Sequence, residues 1–355
     1  MLKRLWLFVF VALLTTPCYP ADVAFGRRVY TGAGRSYGQI WTLDTGSRQI
    51  VQLSRSARRH AAPACSSDGA RIWFLSGAFG DESNTELWWF DPRTRGEKLA
   101  VWVGGGIVSL LGGTEGRAFF TTDGGLYRWD GRLTKLASGA GAALAPDARS
   151  LAVETQMGSV TMMEPGGARG RTIEKCSGPV WSPDGRRLVC VAGQTVRVLN
   201  LPAGVEAAHA EFAQRTTPPA VADFSPDGTR LLVATVGANH SSTSPQSDFW
   251  VLEIATGKWT FVGPGQSALF APGKAAGAVL LASPRELRPV GKVQEWVSQL
   301  LLVDPATHAQ TLVAAGATAN VEPCRFHHPL FRPRSSSRFN IIFNWNAVLQ
   351  DGRNL

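Results

Sequence analysis

The sequence predicts an all-β fold, a seven-bladed β-propeller, on three observations. A turn-forming tetrapeptide recurs along the chain between apolar runs. Each recurrence is followed by a second pair of short β-rich segments. The two chain ends read as complementary parts of one unit. Six and eight blades are the alternatives, because the second unit is faint and "RRVYTG" at 27–32 competes for a strand.

The tetrapeptide is clearest at 178–190, "GPVWSPDGRRLVC", and at 221–235, "VADFSPDGTRLLVAT". Pro183 and Pro226 pre-set φ at the second turn position, and Asp184 and Asp227 suit the third. Gly185 and Gly228 then take a left-handed residue that side chains resist. A turn of this kind between two apolar runs is a tight β-hairpin. "PACSSDGARIWFLS" at 63–76 repeats it with Asp68 and Gly69, and worn copies stand at 142–155 and 268–282.

The units are anchored on Cys65, Leu110, Leu144, Trp181, Phe224, Phe270 and Phe331, the apolar residues before each turn. Segments such as "ELWWFDPRTRGEKLAVW" and "DFWVLEIATGKWTFV" supply the second strand pair. Four strands in roughly 40 residues make one propeller blade. The last unit stops after its first hairpin, and its missing outer strands are expected at 38–54. Sharing a blade between both termini closes the ring and removes exposed sheet edges.

Residues 1–21 read as a signal peptide: Lys3 and Arg4 precede the apolar run Leu5 to Leu14, too short to span a bilayer comfortably. The large Tyr19 makes cleavage after Ala21 untidy, and Pro17 before Cys18 makes a poor lipobox. An exported protein, periplasmic or secreted, is expected, with a retained N-terminal anchor as the runner-up. Residues 22–355 then form one propeller domain, expected to be monomeric and without a transmembrane segment.

The formal charge of +9 falls by two when Lys3 and Arg4 leave with the leader. A basic surface favours anionic partners, but the cations are scattered and no recognition helix or zinc knuckle accompanies them, so nucleic acid is not expected. In an oxidising compartment cysteines pair. Cys176 and Cys190 are symmetric about Pro183, which puts them nearly opposite on the hairpin and predicts a disulfide. Cys65 with Cys324 is the weaker pairing.

The turn aspartates Asp68, Asp147, Asp184 and Asp227 belong to different blades and read as turn formers, not catalytic carboxylates. "GRSYG" at 34–38 matches a nucleophile elbow, but that motif needs a following helix and none is predicted. Histidines are more informative. The loops joining second to third strands, and each last strand to the next blade, share one face of a propeller. His60, His327 and His328 precede first strands, and His240 lies in a long polar loop, so all four are expected on that face. Ring closure would bring His60 near His327 or His328 at the channel mouth, with Glu322 as an oxygen donor. Such a set would suit a divalent ion such as zinc or manganese; no cofactor is favoured outright. The polar loops at 77–86 and 237–248, with Glu82, Asn84, His240 and Asp248, are the candidate partner contacts. Trp88, Trp89, Trp129, Trp250 and Trp259 fall in predicted strands and belong to packing, whereas Trp102 and Trp296 are loop-like.

"VWSPDGRRLV" and "DFSPDGTRLLV", with their second strand pairs, resemble the TolB-type, WD-repeat-like propeller family over roughly residues 25–355. That family pairs its propeller with an N-terminal α/β domain, for which no room is expected before Tyr30, so the resemblance implies the fold and not the family's envelope role. The histidine set is similar to that of propeller lyases acting on oligogalacturonides, although "HH" replaces their spaced pair and no middle-blade histidine matches. The favoured reading is an exported, non-catalytic propeller that binds a protein or an anionic envelope polymer through its channel-mouth face. The alternative is a metal-dependent enzyme acting on an acidic glycan. A degenerate, purely structural propeller is the third.

Overall fold

The computed structural model describes residues 23–77, 84–91, 94–138, 141–154, 158–213, 217–237 and 246–323. Five four-stranded antiparallel sheets follow one another along the chain, each with strands a to d in chain order. Blade I comprises Arg59–Cys65, Ile72–Gly77, Glu86–Asp91 and Gly96–Trp102. Blade II comprises Ile107–Thr114, Arg117–Thr122, Gly125–Trp129 and Leu133–Ala137. Blade III comprises Gly141–Leu144, Leu151–Glu154, Val160–Met163 and Arg169–Ile173. Blade IV comprises Ser177–Trp181, Arg187–Ala192, Thr195–Asn200 and Val205–Glu211. Blade V comprises Ala220–Phe224, Arg230–Val236, Ser247–Glu253 and Trp259–Gly265.

A sixth, eight-stranded sheet holds the remaining two blades. Blade VI is Ser267–Phe270, Val279–Ala282, Val293–Val303 and the first part of Gln310–Pro323, with Glu286–Val290 as an extra strand. The later part of Gln310–Pro323 is strand a of blade VII, and Val23–Gly32, Arg35–Leu43 and Ile50–Gln52 are its strands b to d. The hand-over occurs at Ala317, which pairs with Ser298 of blade VI and Arg27 of blade VII, just after Gly316 at φ 75°. Among the described residues each innermost strand touches the next, from blade I round to blade VII and back to blade I, which closes the ring.

The closing blade thus differs from its sequence expectation. The N-terminus supplies three strands, including the "RRVYTG" segment, and the single C-terminal strand comes from 317–323. One strand long enough to serve two blades is not visible as a repeat. The anchor Phe331 lies outside the described residues.

Packing between blades explains the apolar character of the second strands. In strand b of blade IV, Leu188 and Cys190 enter a cluster with Ala152 and Val160 of blade III. Val189 and Val191 point the other way and join Leu231 and Val233 of blade V. Successive side chains alternate between sheet faces, so a strand sandwiched by two neighbours must be apolar on both.

The recurring turns are locked by their own side chains. The buried Ser182 Oγ accepts a bond from the Arg187 N–H at 2.8 Å, and Asp184 Oδ1 accepts from the Arg186 N–H at 3.0 Å. Ser225 and Asp227 repeat this on Arg230 and Thr229. The Ser225 hydroxyl, then the Thr229 N–H, hold the Asp227 carboxyl down at about 2. Gly69, Gly185 and Gly228 take φ of 64°, 69° and 68°. In the worn third unit Ala148 adopts the same conformation, at φ 56°.

The arginine that ends the motif joins one blade to the next. Arg187 donates Nη2–H to the Gly228 carbonyl at 2.7 Å and lies 5.6 Å from the centre of the Phe224 ring. Arg230 lies 5.3 Å from the Phe270 ring centre of blade VI. Gly228→Ala would impose left-handed strain and set a Cβ against Arg187 Nη2. We expect it to cost about 1–2 kcal/mol, read as a shift in urea midpoint. An unchanged midpoint would show that the turn tolerates a side chain.

Candidate binding face

The links from strand d to the next strand a, and from b to c, share one rim of the ring. On that rim residues 53–58 leave blade VII and enter blade I between the two sheets. Buried carbonyls in such an irregular segment need donors, and Gln39 of blade VII provides them. Its Nε2 donates to the carbonyls of Arg58 at 2.7 Å, Gly38 at 3.0 Å and Ser56 at 3.1 Å. Its Oε1 accepts from Ser54 Oγ at 2.9 Å.

His60 belongs to this seam. It is the second residue of strand a, fully buried, with its ring edge-on to Phe74. Ser56 Oγ lies 2.6 Å and Glu97 Oε2 3.3 Å from the same ring nitrogen, Nε2, while Nδ1 has no hydrogen-bond partner among the described residues. A Ser–His–acid relay needs the two partners on opposite nitrogens, so this is not a nucleophile-activating arrangement. Burial pushes the Glu97 carboxyl up, but bonds from His60 and the Arg55 N–H outweigh it and leave the carboxyl below its ordinary range. Beside it Arg58 Nη2 donates to both Glu86 carboxylate oxygens, at 2.7 and 2.8 Å, and the guanidinium lies 5.3 Å from the Trp88 ring centre.

Of the other sequence candidates, three lie among the described residues. Asn84 Oδ1 accepts from Arg59 Nη1 at 3.0 Å. Asp248 lies in strand c of blade V and is 5% exposed. Glu322 pairs through its backbone with Ala24. Glu82, His240, Cys324, His327 and His328 lie outside the described residues. Among the described residues no group of three or more His, Cys, Asp or Glu side chains could hold a metal. "GRSYG" spans the turn and third strand of blade VII, where Ser36 Oγ donates to Glu295 Oε1 at 2.6 Å and no helix follows. Trp102 and Trp296 are 63% and 57% exposed, but both sit in strands.

A groove of about 420 Å³ opens on the same rim at the junction of blades III and IV. Glu174 and Lys175, Ala192 and Thr195, and Arg197, Glu206 and His209 line its walls. Arg197 Nη1 donates to the Glu174 and Lys175 carbonyls, both at 3.2 Å, and Arg197 Nε donates to Glu206 Oε2 at 2.7 Å. His209 Nδ1 lies 2.9 Å from Glu206 Oε1. The Arg197 bond, then His209, hold the Glu206 carboxyl below its usual range. Cys176 and Cys190 form the disulfide placed on this hairpin by their spacing, with Cα atoms 5.4 Å apart. It ties the Lys175 wall to the strand beside Arg197, since Cys190 and Arg197 are paired. Cys65 is disulfide-bonded as well.

The sequence reading missed this groove. Its signal is the polar alternation of "TVRVLN" and "VEAAHAE", whose register sets Arg197 opposite His209. Polar positions on an outer strand pair read as ordinary solvated surface until the preceding loop is known to fold over them.

No family model and no curated protein sequence matches the chain. Solved structures are similar in fold. TolB from Acinetobacter baumannii aligns at a TM-score of 0.51 and 15% identity, covering 87% of this chain and 67% of that one. Oligogalacturonate lyase from Vibrio parahaemolyticus aligns at 0.52 and 12% identity, covering 75% and 89%. The Swd1 β-propeller domain of Myceliophteria thermophila aligns at 0.53 and 11% identity, covering 75% and 93%. At these identities the likeness establishes a β-propeller and no activity.

Proposed function

We propose that the protein is an exported, non-catalytic propeller that binds an anionic envelope polymer, or an acidic protein surface, through the rim bearing the blade III–IV groove. The groove itself carries this reading. It places Arg197 and His209 of the rigid strands, and Lys175 of the link between blades III and IV, beside two carboxylates, a mix of donors and acceptors suited to a hydroxyl-rich chain bearing negative charge. The N-terminal apolar run, the disulfide and the likeness to TolB support export.

The test is equilibrium binding of acidic oligosaccharides and of crosslinked envelope partners to the wild type and to Lys175→Glu. Reversing the wall charge is expected to weaken binding at least tenfold without altering the melting temperature. Equal binding by both forms would remove the groove from the contact. Turnover of an acidic glycan that depends on added divalent metal would overturn the non-catalytic reading.

A further inference from the structure

Strands b and c of blade VI are joined by a hairpin, Glu286–Val290 paired with the start of Val293–Val303. It rises on the groove-bearing rim, beside the hairpin of Val23–Gly32 and Arg35–Leu43 from blade VII. The two are fastened together. Glu295 Oε1 accepts from Ser36 Oγ at 2.6 Å, Glu295 Oε2 lies 3.6 Å from Arg28 Nη2, and Gly291 abuts the Tyr30 ring with no room for a Cβ.

Strand alternation puts Glu295 and the buried Val297 on the face turned to the body. The opposite face carries Leu287 and Trp296, directly paired across the hairpin and 53% and 57% exposed. An exposed cross-strand Leu–Trp pair at the end of a projecting hairpin contributes little to the core. Its surroundings are basic: residues 23–43 and 285–297 contain six Arg and Lys but two acidic residues. Both glutamates are already engaged, Glu286 with Arg288 and Glu295 with Arg28.

We propose that this hairpin pair docks on an anionic lipid surface, with Trp296 and Leu287 entering the headgroup boundary and Lys292 and Arg285 meeting lipid phosphates. The amphipathic Trp ring suits that depth, and adjacent cations strengthen adsorption to negatively charged leaflets. Leu287 argues against a sugar platform, because it fills half of the patch with a group that offers neither a flat face nor a hydrogen bond.

The experiment is co-sedimentation of the purified protein with vesicles of phosphatidylcholine alone and with one quarter phosphatidylglycerol. Wild type is expected to partition at least tenfold better onto the anionic vesicles. Leu287→Ser/Trp296→Ser is expected to lose at least tenfold of that partition with an unchanged melting temperature, since both side chains are more than half exposed. Lys292→Glu should lower it on anionic vesicles only. Lys175→Glu, on the same rim but outside the hairpin pair, should lower it less than Lys292→Glu does, which separates this surface from the groove. Absence of a preference for anionic vesicles overturns the proposal. So does a double variant that partitions like wild type, or a loss confined to glycan or protein binding.

Discussion

Cys176→Ala/Cys190→Ala is expected to lower the unfolding free energy by about 3 kcal/mol. The crosslink closes a loop of sequence separation 14, and for loops of that size the entropy removed from the unfolded chain is of that order. Both cysteines are buried, in the cluster between blades III and IV, so alanine also surrenders some packing there. The check is a urea titration with and without reductant. Wild type in reductant should fall at least as far as the oxidised variant, and the variant should respond to reductant only through the remaining disulfide at Cys65. A variant within 1 kcal/mol of wild type would mean that the hairpin is held by its sheet alone. The same change should loosen the Lys175 wall, because the disulfide backs the two carbonyl bonds from Arg197. Ligand affinity at the groove is then expected to fall more steeply than stability.

The fold was legible because its signal repeats. Ser-Pro-Asp-Gly specifies the same buried-serine turn wherever it occurs, and the apolar second strands report burial on both faces. Where repetition stopped, legibility stopped. The strand Gln310–Pro323 serves two blades through a bend at Gly316, which no local pattern announces. The candidate site was less readable. His60 sits just after a basic pair in a turn-like stretch, and that context suggests exposure. Its burial is imposed by Phe74, Glu97 and a connector folded over it, all distant in sequence or unpatterned. Arg187 and Arg230 read as solvated charges, yet each reaches a carbonyl of the neighbouring blade. Residue type and spacing reveal turns and cores. They do not reveal which polar side chain will satisfy a buried backbone group in another blade.

That last point makes Gln39 the most consequential single polar residue at the ring's seam. It is 1% exposed and makes four hydrogen bonds, three of them to carbonyls and one from Ser54. Gln39→Ala would leave several of these groups buried without partners, at about 1–3 kcal/mol each when unrelieved. Partial relaxation and entering water reduce the sum, and we expect a net loss of about 3 kcal/mol. The loss should also be local. The closing blade joins strands from the two ends of the described chain, and its contact with blade I rests on the Ala24, Ile40, Leu53, Ile72, Phe74 and Phe90 cluster beside this network. Hydrogen exchange should therefore speed up first in Val23–Gly32 and Arg35–Leu43, while blades III to V keep their protection. Thr161→Ala, which removes one hydroxyl pair in blade III, is the control and should cost less than about 1.5 kcal/mol. Uniform loss of protection across all blades would show that the ring unfolds as one unit and that the seam is no weaker than its other joints.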